Sequence, residues 1–196
     1  MGIRLKSEFE LVVGIALWVV IRGLMLLKNR KYKRFPVYRE IFINILAVYL
    51  VSLIGITLFP ISINWDGVTP KFHPMVNLIP LVDIINYFPQ THFSLAFKIK
   101  FLAKNLVGNL FLLVPIGILM PILWTRMRNF WKTVIIGASI SLIIELLQYV
   151  LAYLGFGWGR ATDIDDLILN TLGVMIGYVI FDKSLVRFNY LKSLNE

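Results

Sequence analysis

Five stretches of this chain are long and apolar enough to cross a bilayer: Phe9–Leu27, Ile41–Pro60, Asn105–Trp124, Thr133–Leu154 and Ile164–Phe181. A helix needs about 20 predominantly apolar residues to cross a hydrocarbon core about 30 Å thick. Lipid offers no partner to an open backbone group, so a segment of this kind satisfies its amides internally, as a helix. The fold class follows as an all-α, polytopic transmembrane bundle of about five spans. The chain is 58% hydrophobic and only 16% charged, which leaves little room for a second folded domain among its 196 residues. It has no cysteine, which removes disulfides and thiolate metal sites from consideration.

The net charge of +9 belongs to the loops and so points to membrane orientation rather than to nucleic acid. Lys28, Arg30, Lys31, Lys33, Arg34 and Arg39 lie between the first two spans, Arg126, Arg128 and Lys132 follow the third, and Lys183, Arg187 and Lys192 lie in the tail. The other side has Arg4 and Lys6, a lone Arg160, and Lys71, Lys98, Lys100 and Lys104 spread over a long loop. The positive-inside rule then sets the amino terminus outside and the carboxyl terminus in the cytoplasm. The first span follows Arg4 and Lys6 as a signal peptide would, but no small-residue cleavage site succeeds it, so it is expected to remain as a span. Arg22 is expected to snorkel towards the basic interface.

The outer segment is more than linker. Leu81, Ile84, Ile85 and Phe88 follow Pro80 with helical spacing, while Asp83, Asn86 and Gln90 fall off that face. This predicts a short amphipathic helix, interfacial or re-entrant. The pattern from Phe93 to Lys104 fits helix and extended chain equally. The prolines Pro115 and Pro121 are expected to bend the third span. Trp65, Trp124, Trp131, Tyr153 and Trp158 suit interfacial belts.

In this topology polar residues gather in the outer half of the membrane. Asn105 and Asn109 lie one turn apart on the third span, with Gly108 beside them to permit close helix approach. Ser141, Glu145 and Gln148 share a face of the fourth, with Glu145 about 14 Å from its outer end. Thr162 or Asp163 would cap the fifth, followed by a stripe of Asp166, Asn170, Gly173 and Gly177. Intramembrane carboxylates are costly and mark functional sites by default. One reading makes Asn109, Glu145, Gln148 and Arg160 an internal network that pins the bundle. On the blander reading Asp163 and Asp165 do no more than complement the helix dipole and cap its free amides. Asp163, Asp166 and Glu145 are hard oxygen donors of the kind magnesium takes, but they lack a ligand spacing, so no metal and no cofactor is expected. His73 and His92 also lack metal-ligand spacing.

The motifs Asn77-Leu78-Ile79-Pro80, Asn105-Leu106-Val107-Gly108-Asn109 and Pro115-Ile116-Gly117 resemble those of the VanZ-like membrane proteins. So do Ser141 with Glu145-Leu146-Leu147-Gln148, Gly159-Arg160, Asp163, Asp165-Asp166, Asn170-Thr171-Leu172-Gly173 and Gly177-Tyr178. The resemblance covers roughly Asn77 to Tyr178. It divides the chain into a two-span region with a basic cytoplasmic loop (1–76), a VanZ-like membrane domain (77–181) and a cytoplasmic tail (182–196). It implies a bacterial cell-membrane protein of Gram-positive type, associated with resistance to teicoplanin, a glycopeptide carrying a lipid tail.

Three functional classes fit these residues. The first is a non-enzymatic protein whose outward-facing pocket binds a membrane lipid, a lipid-linked cell-wall precursor or a lipoglycopeptide. Asn77, Asn105, Asn109, Glu145, Gln148, Arg160, Asp163, Asp166 and Asn170 would form its binding site. The second is an intramembrane enzyme acting on a lipid or glycan, with Glu145 as general acid or base and Asp166 as its partner. The third is a small transporter or flippase, against which the absence of an internal repeat counts. None of them calls for nucleic acid, and the pattern leaves the oligomeric state open.

Overall fold

The computed structural model describes residues 2–28, 37–64, 75–82, 85, 94–156 and 161–193. Among the described residues five helices are long and apolar enough to cross a membrane: Ser7–Lys28, Val37–Leu58, Leu95–Leu123, Phe130–Tyr153 and Ile164–Ser184. The all-α, five-span class expected from the sequence is the one found. The chain divides into two compact units, Met1–Met75 with Leu146–Ala161, and Val76–Glu145 with Thr162–Glu196.

The first unit is built on a helical hairpin of α1 (Ser7–Lys28) and α2 (Val37–Leu58). Apolar periodicity alone would let two such helices slide, since lipid is as apolar as their side chains. Polar pairs fix the register instead. Arg22 Nη2 donates to Glu40 Oε2 at 2.6 Å, and one turn along, Trp18 Nε1 donates to Asn44 Oδ1 at 2.9 Å. Further on, a Cβ at Gly14 would lie 2.7 Å from Val51 Cγ1, and one at Gly55 would lie 2.6 Å from Glu10 Oε2. Polar ties therefore hold one half of the hairpin and small residues the other. Arg22 reaches the carboxylate of Glu40 in the first turn of α2, at the end of the hairpin next to the basic loop.

Short strands tie the end of this hairpin. β1 (Gly2–Leu5) pairs antiparallel with β2 (Ile61–Asn64), with Ile3 opposite Ile63 and Arg4 opposite Ser62. Ser62 N also donates to Phe156 O at 3.0 Å, and Gln148 Nε2 donates to Thr57 O at 2.9 Å. These strands were not expected from the sequence, because four residues carry too little periodicity to stand out beside a 22-residue apolar helix.

The second unit contains the third and fifth spans and the fourth as far as Glu145. The third begins earlier than its apolar stretch suggested, with α3 (Leu95–Leu102) capped by Ser94, whose hydroxyl accepts from Phe97 N at 3.2 Å. A π-helical turn (Ala103–Val107) leads into α4 (Gly108–Leu112) and α5 (Val114–Leu123). The helix breaks at Leu113, where Pro115 two residues on has no N–H to continue the ladder. A 3₁₀ turn (Thr125–Met127) precedes α6 (Phe130–Tyr153), which Asn129 caps by accepting from Lys132 N at 3.0 Å. α7 (Ile164–Ser193) closes the unit.

Close packing centres on α5 and α7. A Cβ added at Gly117 would strike Val174 O, one at Gly173 Leu110 O, and one at Gly177 Val114 O. Gly137 of α6 likewise makes room for Val174, which is fully buried. With no hydrophobic drive between helices in lipid, this backbone-to-backbone approach supplies the dispersion contact that holds them. Gly108, read from sequence as a close-approach residue, faces nothing within 4 Å. Tyr178 at the far end stacks edge-on against Phe130, ring centroids 5.5 Å apart.

Candidate functional site

Where α7 begins, the chain concentrates its carboxylates. β4 (Ala161–Asp163) pairs with β3 (Met75–Asn77) in a two-stranded sheet and delivers the chain into α7 at Ile164. Asp163 is the N-cap: its Oδ1 accepts from Asp165 N at 2.9 Å, which satisfies one of the amides a helix start leaves open. Its other oxygen accepts from Asn77 Nδ2 at 3.2 Å. Asn77 Oδ1 accepts from Ile79 N at 3.3 Å, a side-chain-closed turn at the head of the Asn-Leu-Ile-Pro motif.

Beyond Pro80, the amide of Leu81 donates to Asp165 at 2.8 Å and 3.1 Å, to its two oxygens. Leu81 adopts a φ of 62°, which a branched side chain rarely accepts, and the carboxylate holds it there. Asp165 is thus more than a dipole complement. The motif is a clamp on the start of α7. Its two contacts are long-range in sequence, so no local spacing announced them; the clue was an Asx-turn residue placed three positions before a proline. The amphipathic helix expected after Pro80 lies largely outside the described residues.

Asp166 faces the third span, where its Oδ1 accepts from Asn109 Nδ2. Asn105, on the π turn, joins Phe101, Leu106, Asp163, Asp165 and Asp166 in lining a cavity of about 30 Å³. A space of that size admits one water-sized group. Asn105 lies within the π turn, a feature frequent at functional sites.

Glu145 is 4% exposed, and its Oε2 accepts from Asp163 N at 3.1 Å. Thr162 Oγ1 donates to the Glu145 carbonyl at 3.5 Å. Glu145 therefore binds the backbone that enters α7, and at least one of its oxygens is already engaged. One turn lower, Asn170 Nδ2 donates to Ser141 Oγ at 3.0 Å, both residues almost fully buried. The Oδ1 of Asn170 has no donor among the described residues.

The residues singled out in sequence thus separate into groups. Asn77, Asn105, Asn109, Glu145, Asp163 and Asp166 meet around the start of α7, and Asn170 sits one turn below with Ser141 as its partner. Gln148 does not join them; it is spent on the Thr57 carbonyl of α2. Arg160, His73 and His92 lie outside the described residues. Among the described residues no three carboxylate or imidazole groups are placed to hold a metal ion.

The sequence that builds this acid-rich helix start matches a known family. The VanZ/LLP1 family model aligns with residues 46–187. The chain is also 26% identical over 149 residues to Protein VanZ of Enterococcus faecium, across 76% of this chain and 78% of that protein. No solved structure matches significantly. With most of its length accounted for, including every motif around the start of α7 described above, the chain belongs to the VanZ/LLP1 family of membrane proteins.

Proposed function

We propose that the start of α7 faces the outer leaflet and holds the polar head of a membrane amphiphile, an envelope lipid or a lipidated glycopeptide. Binding there contributes to teicoplanin-type resistance or to envelope homeostasis by changing the access of such molecules to their surface target. One observation carries this reading. Three aspartates and an asparagine surround a cavity of about 30 Å³ at the mouth of a membrane-spanning helix. Carboxylate and amide oxygens accept hydrogen bonds, so the head reaches into this water-sized space with a single donor, one sugar hydroxyl or an amine. Arg160, the residue before β4 in the sequence, would supply the cation for a phosphate or carboxylate on the same head.

The test combines two variants in cells matched for membrane expression. Asp166→Asn keeps an oxygen to accept from Asn109 while removing the charge, so it separates ligand binding from folding. Losing one charge-assisted hydrogen bond of about 1.5–3 kcal/mol corresponds to roughly 10- to 100-fold weaker binding. Asp166→Asn and Arg160→Ala are each expected to move teicoplanin susceptibility towards that of cells lacking the protein. If both variants keep the full phenotype, and purified protein binds neither envelope lipid nor lipoglycopeptide, the reading is wrong.

A further inference from the structure

Along α6 and α7, beside the polar start, runs a hollow of about 530 Å³. Small side chains at Ala138, Ser139 and Thr171 leave the space, and Leu142, Leu167 and Met175 are among those that enclose it. Its two hydroxyls are already used within their own helices: Ser139 Oγ donates to Ile135 O at 2.8 Å and Thr171 Oγ1 to Leu167 O at 2.7 Å. The lining therefore offers no free donor to an occupant, and what fits is hydrocarbon.

We infer that this groove seats one hydrocarbon chain of the amphiphile whose head sits at the start of α7. The inference rests on the proposed function and extends it to the tail. Two observations fix the occupant. The groove's α7 wall begins at Leu167, the residue directly after Asp166, so the groove starts at the depth of the head site, the head site lying towards the third span and the groove towards α6. From Leu167 to Met175 the wall rises about 12 Å at 1.5 Å per residue. This is close to half of a hydrocarbon core about 30 Å thick. A groove that starts at the polar boundary and ends near the midplane has the depth and length of a single leaflet's chain. A soluble partner could not reach it.

The test uses the full chain in vesicles of phosphatidylglycerol and phosphatidylcholine, doped with a phospholipid whose acyl chain carries a photoactivatable diazirine. Crosslinked positions are mapped by mass spectrometry. The exposed apolar face of α1, with Val12, Val19 and Leu24, reports ordinary lipid contact and is the internal reference. Crosslinks are expected to concentrate on 135–142 and 167–175 relative to α1, and Thr171→Trp, which fills the groove, removes the excess. Should Thr171→Trp not remain monodisperse, Ala138→Leu narrows the same space. Loss of the excess in Asp166→Asn supports the groove and the head site together. An excess that survives Asp166→Asn supports the tail seat and counts against the head site. Labelling no denser than on α1 and unchanged by Thr171→Trp overturns the tail seat, as does a change of oligomeric state on filling the groove, which would make a second copy the occupant.

Discussion

Gly177→Leu is expected to destabilise the second unit by about 3 kcal/mol or more, towards or beyond the upper end of overpacking costs. Even the first carbon of a side chain at this position meets the Val114 carbonyl and lies 3.0 Å from Gly117 Cα. The obstacle is backbone, so no rotamer change relieves it, and α5 and α7 must separate. Separation forfeits the contacts that substitute for a hydrophobic drive in lipid. Gly108→Ala is the control, since nothing lies within 4 Å of it. A helical glycine with free space gains roughly 0.5–1 kcal/mol from alanine. Reversible unfolding in mixed micelles distinguishes the two. Equal behaviour of both variants would mean that α5 and α7 do not approach as described.

Arg22→Leu is expected to cost about 3 kcal/mol, because it leaves the Glu40 carboxylate unpaired in an apolar hairpin. The pair is mostly covered, with side-chain exposures of 14% and 21%. The geometry explains the size of the effect: Nε of Arg22 lies 3.1 Å and Nη2 2.6 Å from Glu40 Oε2, so one carboxylate oxygen receives two donors. Replacing both partners, Arg22→Leu with Glu40→Leu, is expected to recover most of the loss, since two apolar side chains need no partner. The same unfolding assay reads the cycle. A double variant as unstable as the single one would show that the arginine acts through some other contact.

How far the sequence could be read follows from which forces act locally. The spans were legible because bilayer thickness imposes a length that a run of residues records directly. The stripe Asp166, Asn170, Gly173, Gly177 was legible because helical periodicity places these residues on one side. Its subdivision was not: Asp166, Gly173 and Gly177 meet the third span, whereas Asn170 reaches Ser141 on α6. A residue at the edge of a face can serve either neighbour, and only packing decides. Gln148 illustrates the same limit. Its spacing from Ser141 suggested a shared site, yet along α6 that position meets α2. Asp163 as cap was readable from residue type, while the grip of Asn77 and Leu81 on the same helix start was not, since 86 and 84 residues separate the partners. The partner of Arg22 was not legible, because an inter-helix loop separates it from Glu40 and nothing local links them.

The geometry gathers the polar motifs at the entry to α7, and a chain without cysteine permits a direct test of it. Asn109→Cys with Asp166→Cys, treated in native membranes with a short bis-thiol crosslinker, should bridge efficiently, because the side chains they replace reach one another. Asn109→Cys with Ile176→Cys, about three turns further along α7, should not. Efficient bridging of the first pair alone is the predicted result; no bridging of the first pair, or equal bridging of both, would contradict the assembly on which the functional reading depends.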